Sequence, residues 1–148
     1  MQKIEKQISL ELFKHSVPVQ IRFNDLDLMG HVNNTEYINY FGVGRLKYFD
    51  LVFENIIDWK NFGVVLVKTT VDYLKPIYLH DSIIVYSRTN QVGTKSFEME
   101  QAIYNQNMEL NAINKSVIVC YDFFKKISIE IPVAWKEKIR NFEIFLED

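Results

Sequence analysis

The stretch RFNDLDLMGHVNN, residues 22–34, leads from a predicted strand through a polar loop into a predicted helix. Before it, Val17–Phe23 alternates apolar and polar residues, as a strand with one buried face does. After it, apolar residues recur at helical spacing from Asn34 to about Tyr48, which predicts one long helix. Asn33 or Asn34 suits the N-cap position of that helix. The chain therefore opens with a strand, a loop and a long helix.

The chain beyond Gly63 is predicted to be mostly β-structure. Four further strands are predicted, at Val64–Tyr73, Ser82–Arg88, Ser96–Tyr104 and Lys115–Phe124, with a hairpin turn at residues 105–107. A closing helix is predicted at Pro132–Leu146, with Pro132 in its first turn. Because short connections join the strands, the pattern favours an antiparallel meander and an α+β fold. Gly42 and Gly44 weaken the long helix unless a sheet packs closely against them.

Composition limits the classes of protein that this chain can belong to. Its 148 residues are 48% hydrophobic and 24% charged, which predicts a single globular domain over residues 1–148. The net charge of −2 argues against nucleic acid as the main partner. The residues from Met1 to Lys6 lack the apolar stretch of a signal peptide, and no run is long enough to cross a membrane, so we expect a cytoplasmic protein. Cys120, the one cysteine, lies in a predicted strand and is expected to be a buried structural thiol.

The stretch of residues 22–34, with its polar loop from Asn24 to Asn33, contains the residues best suited to chemistry. Asp25, Asp27 and His31 fall within seven residues, beside the start of a helix whose first N–H groups lack helical partners. Such an N-terminus favours negative charge, including the oxyanion of acyl transfer. The same spacing also fits a loop whose carboxylates only accept hydrogen bonds from turn amides. Two aspartates and one histidine without further ligands make a weak metal signature, so no metal is predicted.

Three parts of the chain carry a resemblance to a known family. They are RFNDLD at residues 22–27, GHVNNTEY at residues 30–37 with Tyr40, Phe41 and Arg45 after it, and GTKSF at residues 93–97. They resemble the hotdog thioesterases, the group that contains 4-hydroxybenzoyl-CoA thioesterase and the acyl-CoA and acyl-ACP thioesterases. The resemblance implies an antiparallel sheet wrapped around one long central helix. It also implies hydrolysis of acyl-CoA or acyl-ACP thioesters, with no cofactor beyond the coenzyme A of the substrate.

The resemblance also assigns roles to single residues. Asp27 matches the catalytic carboxylate, as general base or as nucleophile, and the amides at the start of the helix would polarise the thioester carbonyl. His31 matches a histidine of the branch whose loop ends in HVNN, and it would orient substrate or water. Asn33, Asn34 and Ser96 are candidate substrate contacts. Met29 stands where plant acyl-ACP members have an asparagine, so a mechanism that uses that asparagine is not expected here. Asp25 is expected to be structural.

The resemblance also implies an oligomeric assembly, and two other functions remain as alternatives. Hotdog subunits join their sheets, which implies a homodimer or a homotetramer with the site at a subunit boundary. A hotdog hydratase or dehydratase, and a non-catalytic module that binds acyl-CoA, remain as alternatives. The net charge slightly favours coenzyme A over an acidic carrier protein as the thiol carrier. Lys68, Lys75 and Lys95 are candidates for contacts with phosphate, and His15 and His80 are expected to be exposed.

Overall fold

The computed structural model describes residues 8–145, which form an antiparallel sheet and two α-helices. The expectations for residues 1–6 and for Leu146 lie outside this range. The helices and strands follow along the chain as β1 (His15–Val19), α1 (Asn34–Phe53), β2 (Phe62–Tyr73), β3 (Ile83–Val92), β4 (Ser96–Tyr104), β5 (Leu110–Asp122), β6 (Ile127–Ser128) and α2 (Val133–Phe142). The predicted order of elements, and therefore the α+β class, is confirmed.

The strands lie side by side in the order β1-β3-β4-β5-β2, and β6 pairs with β5. Strands β3, β4 and β5 form the predicted antiparallel meander. Strand β2 departs from it, because it pairs with β5 at the far edge instead of with β3, the next strand along the chain. The two edge strands are therefore β1 and β2, and α1 lies against one face of the sheet between them.

Helix α1 covers the sheet with two groups of aromatic side chains, one before Gly44 and one after it. Its buried residues include Tyr37, Phe41, Tyr48, Phe49 and Phe53. The helix runs five residues beyond the predicted end at Tyr48, because residues 52 and 53 continue the buried side of the same helix. It stops at residue 54, whose φ of 51° is not helical.

The two glycines of α1 have different surroundings. A Cβ atom at Gly44 would lie 2.5 Å from Cγ1 of Val85, so the sheet approaches the helix there as closely as predicted. A Cβ atom at Gly42 would meet nothing within 4 Å. The expectation of close packing is therefore confirmed for Gly44 and wrong for Gly42, which faces open space.

Strand β1 lies earlier in the chain than predicted. It ends at Val19, and Phe23 belongs to a short 3-10 turn with its side chain 77% exposed, so the predicted strand Val17–Phe23 is wrong in its second half. His15 was expected to be exposed and is only 5% exposed. Because side chains alternate along a strand, His15 shares the inner side with residue 17, and its ring packs edge-on against Tyr48 at 5.6 Å.

The remaining differences concern the ends of elements. Strands β3 and β5 are longer than predicted, and α2 covers less than the predicted Pro132–Leu146. Trp135 and Ile139 of α2 are buried, as the pattern predicted, and Pro132 stands directly before the helix. Cys120 is fully buried, and burial raises the pKa of its thiol to about 12. The expectation of a buried thiol is confirmed.

Candidate active site

Asp25 fastens the loop to helix α1. Its carboxylate accepts hydrogen bonds from the Tyr40 hydroxyl (2.7 Å), from the Arg22 backbone N–H (3.0 Å) and from Nη2 of Arg22 (3.2 Å). Its backbone carbonyl accepts the N–H of Asn33 (2.8 Å), the residue that caps α1. Burial alone would raise the pKa of Asp25, but the Tyr40 and Arg22 hydrogen bonds hold that pKa below its ordinary value. Asp25 is 1% exposed, and the expectation that it is structural is confirmed.

Asp27, two residues later, is exposed and organises a tight turn. Its Oδ1 atom accepts the backbone N–H groups of Met29 (2.9 Å) and His31 (3.2 Å). Its own N–H donates to the carbonyl of His31 (2.7 Å), and its carbonyl accepts the N–H of Gly30 (3.1 Å). Gly30 has a φ of +78°, a conformation that residues with a side chain rarely adopt. The turn thus fixes one carboxylate oxygen, while Oδ2 accepts no hydrogen bond from the described residues.

A cavity of about 240 Å³ lies where this turn meets the start of α1. Its lining consists of Asp27, His31, Val32, Asn34, Tyr37, Tyr73, Leu74, Lys75 and Pro76. The structure therefore brings three of the predicted site residues, Asp27, His31 and Asn34, to one cavity. Asn33 stands beside it as the N-cap of α1, with its side chain accepting the N–H of Thr35 (3.1 Å). The predicted N-cap is confirmed.

The first N–H of α1 is available to a ligand. The N–H groups of residues 33, 35 and 36 all have acceptors, in Asp25, in the Asn33 side chain and in the Asn33 carbonyl. The N–H of Asn34 donates to none of the described residues. A free N–H at a helix N-terminus attracts an anionic oxygen, because the helix dipole adds to the hydrogen bond. The cavity is thus lined by a carboxylate and by the residue whose helix N–H has no acceptor among the described residues.

The imidazole of His31 is held against strand-like backbone. His31 forms an isolated antiparallel bridge with Tyr78, and the two rings meet edge-on with centroids 5.0 Å apart. The next residue, Val32, donates its N–H to the carbonyl of Ile77 (2.8 Å). The backbone of residues 31 and 32 is therefore held against residues 77 and 78. The His31 ring lies at the wall of the cavity.

Two tyrosines for which no role was predicted complete the wall. Tyr73 donates its hydroxyl to the Asn34 carbonyl (3.0 Å), and its ring meets that of Tyr37 edge-on at 5.0 Å. Burial raises the pKa of Tyr37 to about 12, and the nearby charges of Tyr73 and Asp27 add to the rise. Tyr37 lies within the quoted motif, whereas Tyr73 ends a distant strand that no local pattern connects to the loop.

Ser96 does not reach this cavity within one chain. Ile103 of β4 is level with Tyr73, because both pair with Ala112 of β5. Ser96 lies seven residues before Ile103, or about 23 Å along the strand. Lys75, by contrast, lines the cavity and forms an ion pair with Glu109 (2.8 Å). His80 is exposed in a turn, as predicted.

Comparison with known proteins identifies the family and the fold of this chain. A model of the thioesterase-like superfamily matches residues 21–140. The chain belongs to the thioesterase-like superfamily. A thioesterase of Thermus thermophilus, solved in complex with coenzyme A and Zn, is 34% identical and superposes with a TM-score of 0.80 over 90% of this chain and 96% of that one. The hotdog fold expected from the resemblance is thereby confirmed.

Two curated relatives extend the comparison within the family. The long-chain acyl-CoA thioesterase FadM of Escherichia coli is 24% identical over 83% of this chain and 95% of its own length. The chloroplastic acyl-acyl carrier protein thioesterase ATL3 of Arabidopsis thaliana is 27% identical over 86% of this chain and 68% of its own length. The relatives thus include proteins named for each of the two thiol carriers.

The described residues contain neither a metal cluster nor a membrane-spanning helix. Within residues 8–145, no three side chains of histidine, cysteine, aspartate or glutamate gather in a way that could hold a metal ion. Neither helix of the described chain has the length and apolar character needed to cross a membrane.

Proposed function

We propose that this thioesterase-family protein hydrolyses acyl thioesters at the cavity between Asp27 and the N-terminus of α1. The observation that carries the proposal is the pairing of an exposed carboxylate with a helix N–H that has no acceptor among the described residues. A thioester needs no serine nucleophile, because its carbonyl carbon is already activated. A carboxylate to activate water and a donor to stabilise the oxyanion are sufficient.

Asp27 acts as the general base in this proposal. Two backbone N–H groups hold its Oδ1 atom, which leaves Oδ2 to take a proton from a water molecule. The water oxygen attacks the carbonyl carbon, and the N–H of Asn34 stabilises the negative charge that forms on the carbonyl oxygen. The carbon–sulfur bond then breaks, and the proton held by Asp27 passes to the departing thiolate. His31, held at the cavity wall against Tyr78, orients the water or the carbonyl.

Coenzyme A is the preferred thiol carrier in this proposal. The net charge of −2 disfavours docking of an acidic carrier protein, which needs a basic surface. Lys75, whose ammonium group pairs with Glu109, lies at the wall of the cavity and adds positive charge beside the phosphates of coenzyme A. Asn33 and Asn34 lie on the same side and contact the substrate near its thioester.

The functional unit in this proposal is a dimer joined at β2. This strand is twelve residues long, and along its outer edge it pairs with no described strand. Unpaired edges are normally covered, and a twofold axis would pair β2 with the same strand of a second copy in antiparallel fashion. That pairing turns the Ser96 end of one sheet toward the Asp27 end of the other. Ser96 is therefore a substrate contact only across the subunit boundary.

Light scattering of the purified protein tests this assembly, and a monomer at working concentration would contradict it.

The decisive experiment measures thiol release from acyl-CoAs of increasing chain length and from one aromatic acyl-CoA, with the wild type and with Asp27→Asn. We expect turnover that the variant loses. Hydration of an enoyl-CoA without thiol release would assign the protein to the hydratases of the same fold. Tight binding of acyl-CoA without any turnover, on coenzyme A and on carrier-protein thioesters alike, would assign it to the binding modules.

A further inference from the structure

Part of the cavity wall is a segment without regular secondary structure. Residues 74–76 line the cavity directly after β2 ends. The next two residues contact the loop that carries the catalytic candidates. The Ile77 carbonyl accepts the N–H of Val32 (2.8 Å), and Tyr78 forms the antiparallel bridge with His31. The course of this segment therefore determines where the imidazole of His31 lies in the cavity.

Asn111 of β5 holds the segment in place with both its backbone and its side chain. Its carbonyl accepts the N–H groups of Leu74 (2.8 Å) and Lys75 (3.1 Å). Its side-chain amide donates to the carbonyls of Lys75 (3.4 Å) and Pro76 (3.2 Å). Asn111 is 0% exposed and does not itself line the cavity. The first three residues after β2 are therefore all fastened to one buried residue.

A β-bulge explains how Asn111 reaches the segment. On β5, residues 110 and 112 pair with two consecutive residues of β4, so Asn111 is an extra residue without a partner on that strand. Bulges of this kind re-aim a side chain and are common beside active sites. The regular pairing of β2 with β5 also ends here, at Tyr73 and Ala112. The amide of Asn111 thus continues the attachment of the chain where the ladder of backbone hydrogen bonds stops.

Stability alone does not account for an asparagine at this position. Burying an amide costs free energy unless its polar atoms find partners, and Oδ1 of Asn111 has none within residues 8–145. An apolar side chain at the same buried position would avoid that cost. Departures of this kind from the most stable choice are expected at functional sites. The unpartnered oxygen therefore points to a role for the two hydrogen bonds that the amide donates.

We propose that Asn111 is a positioning residue for thioester hydrolysis, because it fixes the cavity wall and, through Tyr78, the His31 ring. The inference rests on the proposed function, in which His31 orients the attacking water or the carbonyl. Without the amide, the carbonyls of Lys75 and Pro76 would turn to water, and the segment that reaches His31 would shift. Catalysis is sensitive to such a shift, since a displacement of about 1 Å can slow a reaction about 10²-fold.

A double-mutant cycle tests this coupling on the acyl-CoA that the wild type hydrolyses fastest. We expect Asn111→Ala to lower kcat about 10–100-fold and to change KM less than about threefold, because it displaces His31 but removes no substrate contact. In a His31→Ala background, Asn111→Ala should lower kcat less than about threefold, because the group that it positions is already absent. Ile139→Val, a buried change in α2, is the control for reduced stability and should leave kcat unchanged. Effects that multiply in the double variant would overturn the inference.

Proton NMR of the free protein separates this inference from the proposed function. The chain has three histidines, so their ring resonances are few enough to assign by substitution. Asn111→Ala should shift the resonance of His31, whose ring meets Tyr78 edge-on, and leave that of His15, which packs against Tyr48, unchanged. If the wild type hydrolyses no thioester, the proposed function fails, and this shift still decides whether Asn111 places His31. An unchanged His31 resonance in the folded variant would overturn the inference alone.

Tyr78→Ala covers the case in which Asn111→Ala does not fold. Tyr78 is 48% exposed, so the fold should tolerate the truncation, which removes the ring through which the segment contacts His31. We expect kcat to fall about tenfold with a KM within about threefold of the wild type. A wild-type kcat in this variant would overturn the inference, because the segment would then have no influence on His31.

Discussion

Asp25 and Asp27 are two residues apart, yet they occupy opposite environments. Asp25 is buried and accepts hydrogen bonds from Tyr40 and Arg22, which attach the loop to α1. Asp27 is exposed, and it leaves one oxygen free of the described residues at the wall of a cavity. A carboxylate whose hydrogen bonds are all satisfied by the fold stabilises the fold, and one with a spare oxygen is able to react. Under the proposed function, the comparison therefore separates a structural aspartate from a catalytic one within a single turn.

The largest expected effect is the loss of activity in Asp27→Asn. We expect kcat/KM for thioester hydrolysis to fall about 10²–10⁴-fold, because the amide cannot take a proton from water. The free energy of unfolding should change by less than about 0.5 kcal/mol, since the asparagine Oδ1 still accepts the two turn N–H groups and the site is exposed. Thiol release and urea denaturation measure the two quantities. Asp50→Asn, at an exposed position of α1, is the control and should alter neither. Activity near the wild-type rate in Asp27→Asn would show that Asp27 is not the general base and that the two aspartates do not differ in this way.

The same substitution at Asp25 should affect stability instead. We expect Asp25→Asn to lower the free energy of unfolding by about 1–3 kcal/mol, because it removes the charge from three hydrogen bonds at a buried position. Urea denaturation at neutral pH measures the change. Activity of the folded variant should fall less than tenfold. A variant as stable as the wild type, or one that is folded but inactive, would show that the two aspartates do not divide the roles in this way.

The two glycines of α1 extend the comparison to the helix. Gly44→Ala should lower the free energy of unfolding by about 1–3 kcal/mol, because the new methyl group would overlap Val85. Gly42→Ala should raise it by about 0.5–1 kcal/mol, since alanine favours the helix and the space is open. Thermal denaturation of both variants measures these opposite shifts. Equal destabilisation by the two substitutions would mean that Gly42 is not beside open space.

The smallest expected effect is the dependence of the Asp25 contribution on pH. The folded state holds the pKa of Asp25 below its unfolded value of about 3.9, so its contribution is complete above that value and is lost as the pH falls through the folded pKa. The stability difference between wild type and Asp25→Asn should therefore shrink below about pH 4. Urea denaturation from pH 7 to pH 3 follows it. A difference that stays constant over this range would mean that the carboxylate charge contributes nothing.

The parts of the fold that could be predicted well are those determined by local pattern. The polar loop of residues 24–33, the start of α1 at Asn34 and the hairpin turn at residues 105–107 depend on neighbouring residues, and these predictions were confirmed. The predictions were wrong where a side-chain contact, and not the alternation of apolar and polar residues, decides the local structure. Phe23 fits the alternation of a strand, but the carboxylate of Asp25 bonds back to Arg22 and closes a turn there.

The residues of the candidate site divide in the same way, into those that are close in sequence and those that only the tertiary fold brings near. Asp27, His31 and Asn34 are close in sequence and meet at one cavity, whereas Tyr73 arrives from a strand that only the tertiary fold brings near. Gly42 and Gly44 look alike in the sequence, and only the position of Val85 distinguishes them. Ser96 belongs to a quoted motif, but the register of β4 carries it about 23 Å along the sheet.

Because Cys120 is buried, its reaction with a thiol reagent reports when the core of the protein opens. It is the one thiol of the chain, it lies between the sheet and the helices, and burial raises its pKa to about 12. A thiol-reactive dye therefore labels the native protein only when the core opens, because the reagent needs an accessible thiolate. The labelling rate measures how often β5 separates from its covering helices. The same reagent can follow coenzyme A release without a background from the folded protein.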